Sequence, residues 1–136
     1  MERKKERPGG MALRVFLVDD LISMHSLMRD LFAAVGGVEL VATASSEGEA
    51  KLWLEDHPGA WDVAVLDLVL QHGSGMAVIR PCREGNPQGQ VAVFSSYVTP
   101  VIRDHCLALG AHAVFGKDET TQFVLWLHRL AGQGPP

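Results

Sequence analysis

The sequence predicts an α/β fold, in which an open sheet of five parallel strands is covered by helices on both faces. Three observations support this prediction. Short apolar runs of strand length recur along the chain, amphipathic stretches lie between them, and acidic residues stand directly after two of the runs. Strands that are buried on both faces are typical of parallel sheets, and right-handed crossovers place the connecting helices on the two sides.

The first strand is predicted at residues 13–18, where a mostly apolar run precedes a pair of acids. An amphipathic helix follows at residues 23–35, because its apolar residues recur at helical spacing along one face. Gly36 and Gly37 end this helix, since glycine readily adopts the backbone conformation of a helix C-terminus. The second strand is predicted at residues 38–44.

The second helix has a distinct start signal. Ser45 or Ser46 can cap its N-terminus, and Glu49 stands three residues past Ser46, which is the spacing of a capping box. The His-Pro-Gly segment at 57–59 ends this helix, and residues 61–66 are predicted to form the third strand.

Proline and glycine delimit the next elements. Residues 75–80 are predicted to begin the third helix, and Pro81 is expected to shorten or kink it. The turn at 85–89 leads into the fourth strand at residues 91–94.

The last third of the chain completes the alternation. A fourth helix is predicted at residues 100–109, with proline at its first position and Gly110 just past its end. The fifth strand is predicted at residues 113–116 and the final helix at residues 120–131.

The composition of the 136-residue chain fits one small domain. Its formal net charge of −4 argues against a nucleic-acid-binding domain, and its longest apolar runs are far shorter than the roughly 20 residues that span a bilayer. Cys82 and Cys106 are unclustered, so we interpret both as reduced thiols of a cytoplasmic protein. The six histidines lack the spacing of metal ligands and are predicted to be surface or packing residues.

Polar side chains of complementary chemistry follow four of the predicted strands. Asp19 and Asp20 follow the first strand, Asp67 the third, Ser95 the fourth and Lys117 the fifth. In open α/β sheets the carboxyl ends of the strands face the ligand-binding crevice, so these groups are expected there. Together they suit a hard cation and a phosphoryl group, since carboxylates about 4 Å apart repel by on the order of 4 kcal/mol at an effective dielectric near 20. Taken singly, Asp19 could cap a helix, Ser95 could be structural and Lys117 could be a solvated loop residue.

These five residues stand in the same order, each at a strand end, in the receiver domain of bacterial two-component response regulators, which the chain therefore resembles. The resemblance is to single-domain receivers of the kind found among chemotaxis regulators. The resemblance covers about residues 12–130, and Gly75, Gly110 and Ala111 also fit the family pattern. It implies a flavodoxin-like sheet of order 2-1-3-4-5 with five helices on both faces.

By this resemblance, residues 12–131 form the receiver domain, between a disordered tail at 1–11 and a disordered end at 132–136. We expect no attached output domain, so the output is protein contact. The implied partners are a sensor histidine kinase or phosphotransfer protein and a downstream protein target. Binding to nucleic acid or to a membrane is not expected. The alternative is a receiver-like interaction module that works without phosphorylation. A flavin-binding electron carrier is disfavoured, because two acids stand where a phosphate-cradling loop would be required.

The resemblance also implies the cofactor, which is Mg²⁺. Asp20 and Asp67 are expected to bind the metal directly, Asp19 through water, and the backbone carbonyl of Val69 to supply another oxygen. Oxygen ligands of this kind suit Mg²⁺, which takes carboxylates, waters and phosphate in octahedral geometry.

In the family, the residue at Asp67 accepts a phosphoryl group from a phosphohistidine and becomes an aspartyl phosphate. Lys117 and the metal neutralise the phosphoryl oxygens, and the Ser95 hydroxyl turns inward to bond the new group. The chain is therefore not expected to be an enzyme, except that it catalyses its own phosphorylation and dephosphorylation. Val69 and Tyr97 occupy the positions that usually tune dephosphorylation.

The sequence departs from the family pattern near these residues. Asp118 follows Lys117 where proline is common, so we expect a trans peptide bond there. Val114 stands where a switching aromatic residue is usual, and strand alternation is expected to point Phe115 to the opposite face. Gln71 replaces a common proline in the loop after Asp67.

The final helix is predicted to present a contact surface. Its core stripe, at i, i+4 and i+7 from Phe123, leaves Val124, Leu125 and Trp126 around the remaining circumference. Because these three cannot all be buried, we interpret Trp126 as an interface residue of a partner contact or of a homodimer through helix 4, strand 5 and helix 5. The alternative is that Val124 lies at the margin of the core and Trp126 packs on a neighbouring loop.

Overall fold

Five parallel strands form one sheet in the computed structural model, which describes residues 12–133. The strands are β1 (Leu13–Val18), β2 (Val38–Ala44), β3 (Val63–Leu66), β4 (Gln90–Ser95) and β5 (Ala113–Gly116). Their order is β2-β1-β3-β4-β5, so the predicted parallel sheet and its strand order are confirmed. The tail predicted at 1–11 lies outside the described residues, as does the end at 134–136.

Helices cover both faces of the sheet, as predicted. They are α1 (Ile22–Val35), α2 (Glu47–Asp56), α3 (Ile79–Gly85), α4 (Pro100–Leu109) and α5 (Thr120–Gln133). Residues of α1 and α5 pack in one hydrophobic cluster, whereas residues of α2, α3 and α4 pack in another. The sheet therefore forms the middle layer of three.

The central strands are buried on both faces, which explains their continuous apolar runs. In β1, Val15 and Leu17 point into the cluster beneath α1 and α5, and Phe16 and Val18 point into the opposite cluster. All four residues of β3 are also fully buried. Parallel strands of this kind hold the residues at their ends in fixed positions.

The predicted cap of α2 at Ser46 is confirmed, but the capping box differs in one bond, since Glu49 reaches the residue before the N-cap. Ser46 is the N-cap, and its Oγ accepts a hydrogen bond from the Glu49 N–H at 3.1 Å. The Glu49 carboxylate in turn accepts from the Ser45 N–H at 2.7 Å. Both serines are thus held at the helix start.

The third strand begins at Val63, two residues later than predicted. Just before it, the Asp62 carboxylate accepts the main-chain N–H of Arg14 at 2.8 Å and also pairs with the Arg14 guanidinium. The Asp62 side chain thus accepts the Arg14 N–H in place of a main-chain carbonyl of the sheet. Trp61 lies buried beside this pair, and its carbonyl accepts from the Asn86 side chain.

The prediction for the third helix was wrong in extent. A 3₁₀ turn at Gly75–Val78 leads into α3, which continues through Pro81 to Gly85. Pro81 lies in the first turn of α3, where a missing N–H removes no intrahelical hydrogen bond. The final helix likewise extends two residues past its predicted end, to Gln133.

Neither described cysteine forms a disulfide, and both are buried. Burial raises the pKa of the Cys82 thiol to about 12 and also raises the pKa of Cys106. Within residues 12–133, none of the helices combines the length and the apolar character that a membrane crossing requires.

Gly75 lies against the main chain of Asp67. A Cβ atom at Gly75 would stand 1.8 Å from the Asp67 carbonyl oxygen, a distance that no side chain can occupy. The Gly75 N–H also donates to the carbonyl of Leu68 at 3.2 Å. The close approach of the 3₁₀ turn to the end of β3 therefore requires glycine.

We predict that Gly75→Ala lowers the free energy of unfolding by at least about 2 kcal/mol, because the backbone at Asp67 must move to admit the methyl group. Urea unfolding measures the change. The control is Gly48→Ala in the first turn of α2, where a Cβ meets nothing within 4 Å. That variant should be neutral or stabilised by about 0.5 kcal/mol. Equal unfolding midpoints for the two variants would contradict the steric argument.

Candidate functional site

The main-chain hydrogen bonds of the sheet bring the predicted site residues to one edge. The Asp19 N–H donates to the carbonyl of Ala44 at 3.0 Å, and the Asp67 N–H donates to Val18 at 2.9 Å. On the other side, the Lys117 N–H donates to the Ser95 carbonyl at 2.9 Å. Asp19, Asp67 and Lys117 therefore continue the ladder by one position past their strands, and Ser95 is the last residue of β4.

Three carboxylates form a cluster at this edge. One carboxylate oxygen from each of Asp19, Asp20 and Asp67 lies within 4.8 Å of the other two. Asp19 and Asp67 are buried, whereas Asp20 is partly exposed. The convergence predicted from the strand ends is thus observed.

The Lys117 side chain reaches two of these acids. Its Nζ donates to Oδ2 of Asp19 at 3.0 Å and to Oδ2 of Asp67 at 3.2 Å. Burial of the ammonium group, the largest single influence, lowers the pKa of Lys117. The hydrogen bonds and negative charges of Asp19 and Asp67 together outweigh it, so the pKa is raised and the side chain stays charged.

One lysine does not compensate all the negative charge. Burial raises the pKa of Asp19, and the nearby charge of Asp67 adds to this effect. The Leu21 N–H and Lys117 act in the opposite direction without cancelling it. An additional cation would favour the ionised form of Asp19.

The donor set of the cluster fits Mg²⁺. It consists of carboxylate oxygens, two of them on buried residues, and one partly exposed acid that leaves a route to solvent. Hard oxygen ligands with room for waters are what Mg²⁺ prefers, and thiolate or imidazole ligands are not among the groups that form this cluster.

Ser95 is fully buried at the end of β4. Its hydroxyl oxygen accepts from the Tyr97 N–H at 3.3 Å, which ties it to the loop that leads to α4. The Tyr97 side chain is 60% exposed, and Val69, in the loop after Asp67, is 50% exposed. Both residues that the family resemblance assigned to tuning thus lie open to solvent.

His25 supports the site in a way that the sequence did not indicate. It is buried in α1, and its Nε2–H donates to the main-chain oxygen of Asp19 at 2.7 Å. The sequence predicted a surface or packing residue here, and the burial of His25 agrees with packing, but its hydrogen-bond partner was missed. The available signal was its place on the first turns of the helix that follows Asp19.

The predicted orientations in β5 are confirmed. Val114 lies in the cluster of α2, α3 and α4, and Phe115 lies against the opposite cluster, with its ring edge toward Phe123 at a centroid distance of 5.7 Å. The peptide bond between Lys117 and Asp118 is trans, as are the others in the described part of the chain.

Two residues that the sequence did not single out brace the loop after β5. The Glu119 carboxylate accepts the Gly116 N–H at 2.8 Å, and Arg103 of α4 lies 3.5 Å from the same carboxylate. Arg103 also donates to the Val114 carbonyl. These contacts hold the segment on either side of Lys117.

In the final helix, as the sequence predicted, Val124, Leu125 and Trp126 are not all buried. Trp126 is half-buried, and its ring lies 5.9 Å from that of Phe115. Phe123 and Leu127 are fully buried, as expected of the core stripe, and Leu125 is 55% exposed. A larger fraction of Leu125 than of Trp126 is therefore exposed.

Comparisons with known proteins agree with the fold and the site. The family model described as the response regulator receiver domain matches residues 15–125. No curated protein matches the chain.

Three solved structures illustrate the similarity. In a CheX-CheY-BeF3-Mg+2 complex from Borrelia burgdorferi, the match has 21% identity and a TM-score of 0.77, and covers 86% of this chain and 87% of the other. A response regulator from Burkholderia pseudomallei with a phosphorylated aspartic acid, calcium ion and citrate has 20% identity, coverages of 88% and 69%, and a TM-score of 0.72. The signal receiver domain of the putative response regulator NarL from Mycobacterium tuberculosis has 25% identity, coverages of 90% and 98%, and a TM-score of 0.75.

The family match spans most of the chain, from β1 into α5, and the sheet order is that of the structures it resembles. The chain belongs to the response regulator receiver domain family of two-component signalling.

Proposed function

We propose that this protein is a phosphoacceptor, in which Asp67 takes a phosphoryl group from the phosphohistidine of a sensor histidine kinase or a phosphotransfer protein. The observation that carries the proposal is the position of Asp67. It is a strand-end carboxylate that accepts from Lys117 at 3.2 Å and lies within a cluster of two further acids. Two similar structures support the same chemistry. The one from Borrelia burgdorferi contains BeF3 and Mg²⁺, and the one from Burkholderia pseudomallei contains a phosphorylated aspartic acid.

In this mechanism the Asp67 carboxylate attacks the phosphorus atom, and the bond between phosphorus and the donor imidazole breaks. Lys117, held charged between Asp19 and Asp67, is placed to stabilise the oxygens of the transferred group. Ser95 then exchanges its contact with the Tyr97 N–H for one with the phosphoryl group, which moves the loop before α4.

The proposed metal ligands are Asp20 and Asp67 directly, Asp19 through water, and the Val69 backbone carbonyl. When Mg²⁺ is bound there, it supplies positive charge for the phosphoryl oxygens. The protein itself catalyses only its own phosphorylation and dephosphorylation. Free, buried cysteines suit a reducing compartment, so we propose a cytoplasmic location.

We further propose that the phosphorylated form signals by contact with a downstream protein. One observation favours the alternative of a module that works without phosphorylation, namely that Val114 replaces the usual aromatic switch and is buried. Incubation with acetyl phosphate and Mg²⁺, followed by intact mass measurement, separates the two. A mass increase of one phosphoryl group supports the first, and an unchanged mass supports the second.

We predict that Asp67→Asn abolishes labelling by acetyl phosphate, because the amide is not a nucleophile for phosphorus. Intact mass spectrometry measures the phosphorylated fraction. The control Asp30→Asn replaces an exposed acid of α1 and should label like the wild type. Full labelling of the Asp67 variant would show that another residue is the acceptor.

We predict that the phosphorylated protein loses phosphate slowly, over many minutes or longer. Val69 offers no polar group to orient an attacking water, and the exposed Tyr97 ring can cover the phosphoryl group. The double variant Val69→Asn with Tyr97→Glu should lose phosphate about tenfold faster or more, because its side chains can position water. Phosphate release after removal of the donor gives the rate. Loss within seconds in the wild type would contradict this prediction.

We predict a contact surface on α4, β5 and α5 that includes Trp126 and the more exposed Leu125. If the surface forms a homodimer on phosphorylation, light scattering should show about twice the monomer mass in the labelled wild type. Trp126→Ala or Leu125→Ala should restore the monomer. A monomer in every sample would exclude the homodimer and leave contact with a different partner.

A further inference from the structure

The loop between β3 and the 3₁₀ turn is closed at its base by Ser74. The main chains of Val69 and Ser74 form an antiparallel bridge, and the Ser74 hydroxyl donates to the Leu68 carbonyl at 3.2 Å. The same hydroxyl accepts from the Met76 N–H at 3.1 Å. Any group that fixes Ser74 therefore also fixes the segment that carries Val69.

Glu47, the first residue of α2, holds this loop from one side. Its Oε1 accepts the Ser74 N–H at 3.0 Å, and its main-chain N–H donates to the His72 carbonyl at 3.1 Å. A Cβ atom at Gly73 would lie 2.4 Å from the Cβ of Glu47, so the loop packs directly on this side chain. Gly73 also has a φ of +93°, which favours glycine.

The second carboxylate oxygen of Glu47 is held within its own helix. Oε2 accepts from the Lys51 ammonium at 2.7 Å, one turn further along α2. This hydrogen bond, together with that of the Ser74 N–H, lowers the pKa of Glu47. The bond to Ser74 is therefore one to a charged acceptor at neutral pH, and such bonds are stronger than those between neutral groups.

Asp20 holds the loop from the other side. Its Oδ2 accepts the main-chain N–H of Gln71 at 2.6 Å. Proline at this position would offer no N–H, so the bond requires a residue other than proline there. The loop thus links a carboxylate of the acidic cluster to Glu47, through its own main chain.

We propose that Glu47 is a positioning residue for the metal site: by holding Ser74, it keeps the Val69 carbonyl and the Asp20 carboxylate in place. This inference rests on the proposed function, because it takes the acidic cluster as a Mg²⁺ site. Glu47 itself does not belong to that cluster. Residues that orient metal ligands in this way commonly change metal affinity 10- to 100-fold when removed.

The test is a titration of the ¹⁵N-labelled protein with MgCl₂ alone, followed by the amide shifts of residues 67–75. Glu47→Ala should weaken Mg²⁺ binding about tenfold, since the loop loses its anchor. Glu47→Gln keeps an oxygen acceptor for the Ser74 N–H and should remain within about threefold of the wild type. Rescue by the glutamine variant links the effect to this hydrogen bond.

Two controls separate positioning from helix stability. Glu49→Ala removes the other carboxylate at the start of α2, which accepts from the Ser45 N–H. Lys51→Ala removes the ion pair but leaves the Ser74 bond. Both variants should bind Mg²⁺ with wild-type affinity, and their melting temperatures measure how far each change affects the stability of α2.

Wild-type Mg²⁺ affinity in Glu47→Ala would overturn the inference and leave the proposed function intact, since the wild type would still bind the metal. Equal weakening in Glu47→Ala and Glu49→Ala would also overturn it, because the cause would then be the stability of α2. Failure of the wild type itself to bind Mg²⁺ would overturn both.

Discussion

Negative charge held at the end of a buried parallel sheet is the constraint on which the rest of this structure depends. The ladder fixes Asp19 and Asp67 side by side, because β1 and β3 are neighbours and are buried on both faces. The strand ends keep both carboxylates in one cluster, so their repulsion is reduced by positive charge brought from outside the two strands. Lys117 brings such charge from the end of β5. The pKa of Asp19 is nevertheless raised, by its burial and by the charge of Asp67.

Much of the fold could be predicted because its signals are local. Apolar runs and capping residues set the bounds of β1, β2, β5 and α4 correctly. The errors occur where a side chain or a distant contact decides the outcome. The start of β3 depends on Asp62 accepting a main-chain N–H from Arg14, 48 residues away in sequence. The strand order came from the family resemblance, since local patterns do not determine which strands become neighbours.

The candidate site also contains residues that could be predicted from local sequence and residues that could not. Its acids and its lysine could be identified because each directly follows an apolar run, and their convergence is a property of parallel sheets. The groups that hold them in place were not identified. His25 and Glu47 each bond to a main-chain group outside their own helix, whereas Glu119 accepts the N–H of Gly116, three residues before it. A contact such as that of Glu47 with Ser74, 27 residues away, has no sequence pattern, because any segment that passes nearby can supply the partner.

The reactivity of the two buried cysteines can be used to measure how often the folded structure opens locally. A thiol whose pKa is raised by burial carries almost no thiolate at neutral pH, and the thiolate is the reactive form. Cys82 in α3 and Cys106 in α4 both lie on the face that packs beneath the loops after β3 and β4. Alkylation at either position would therefore proceed only through transient exposure of that face. The rate of thiol modification would report how often α3 and α4 separate from the sheet, and a surface cysteine could be labelled without interference from the native two.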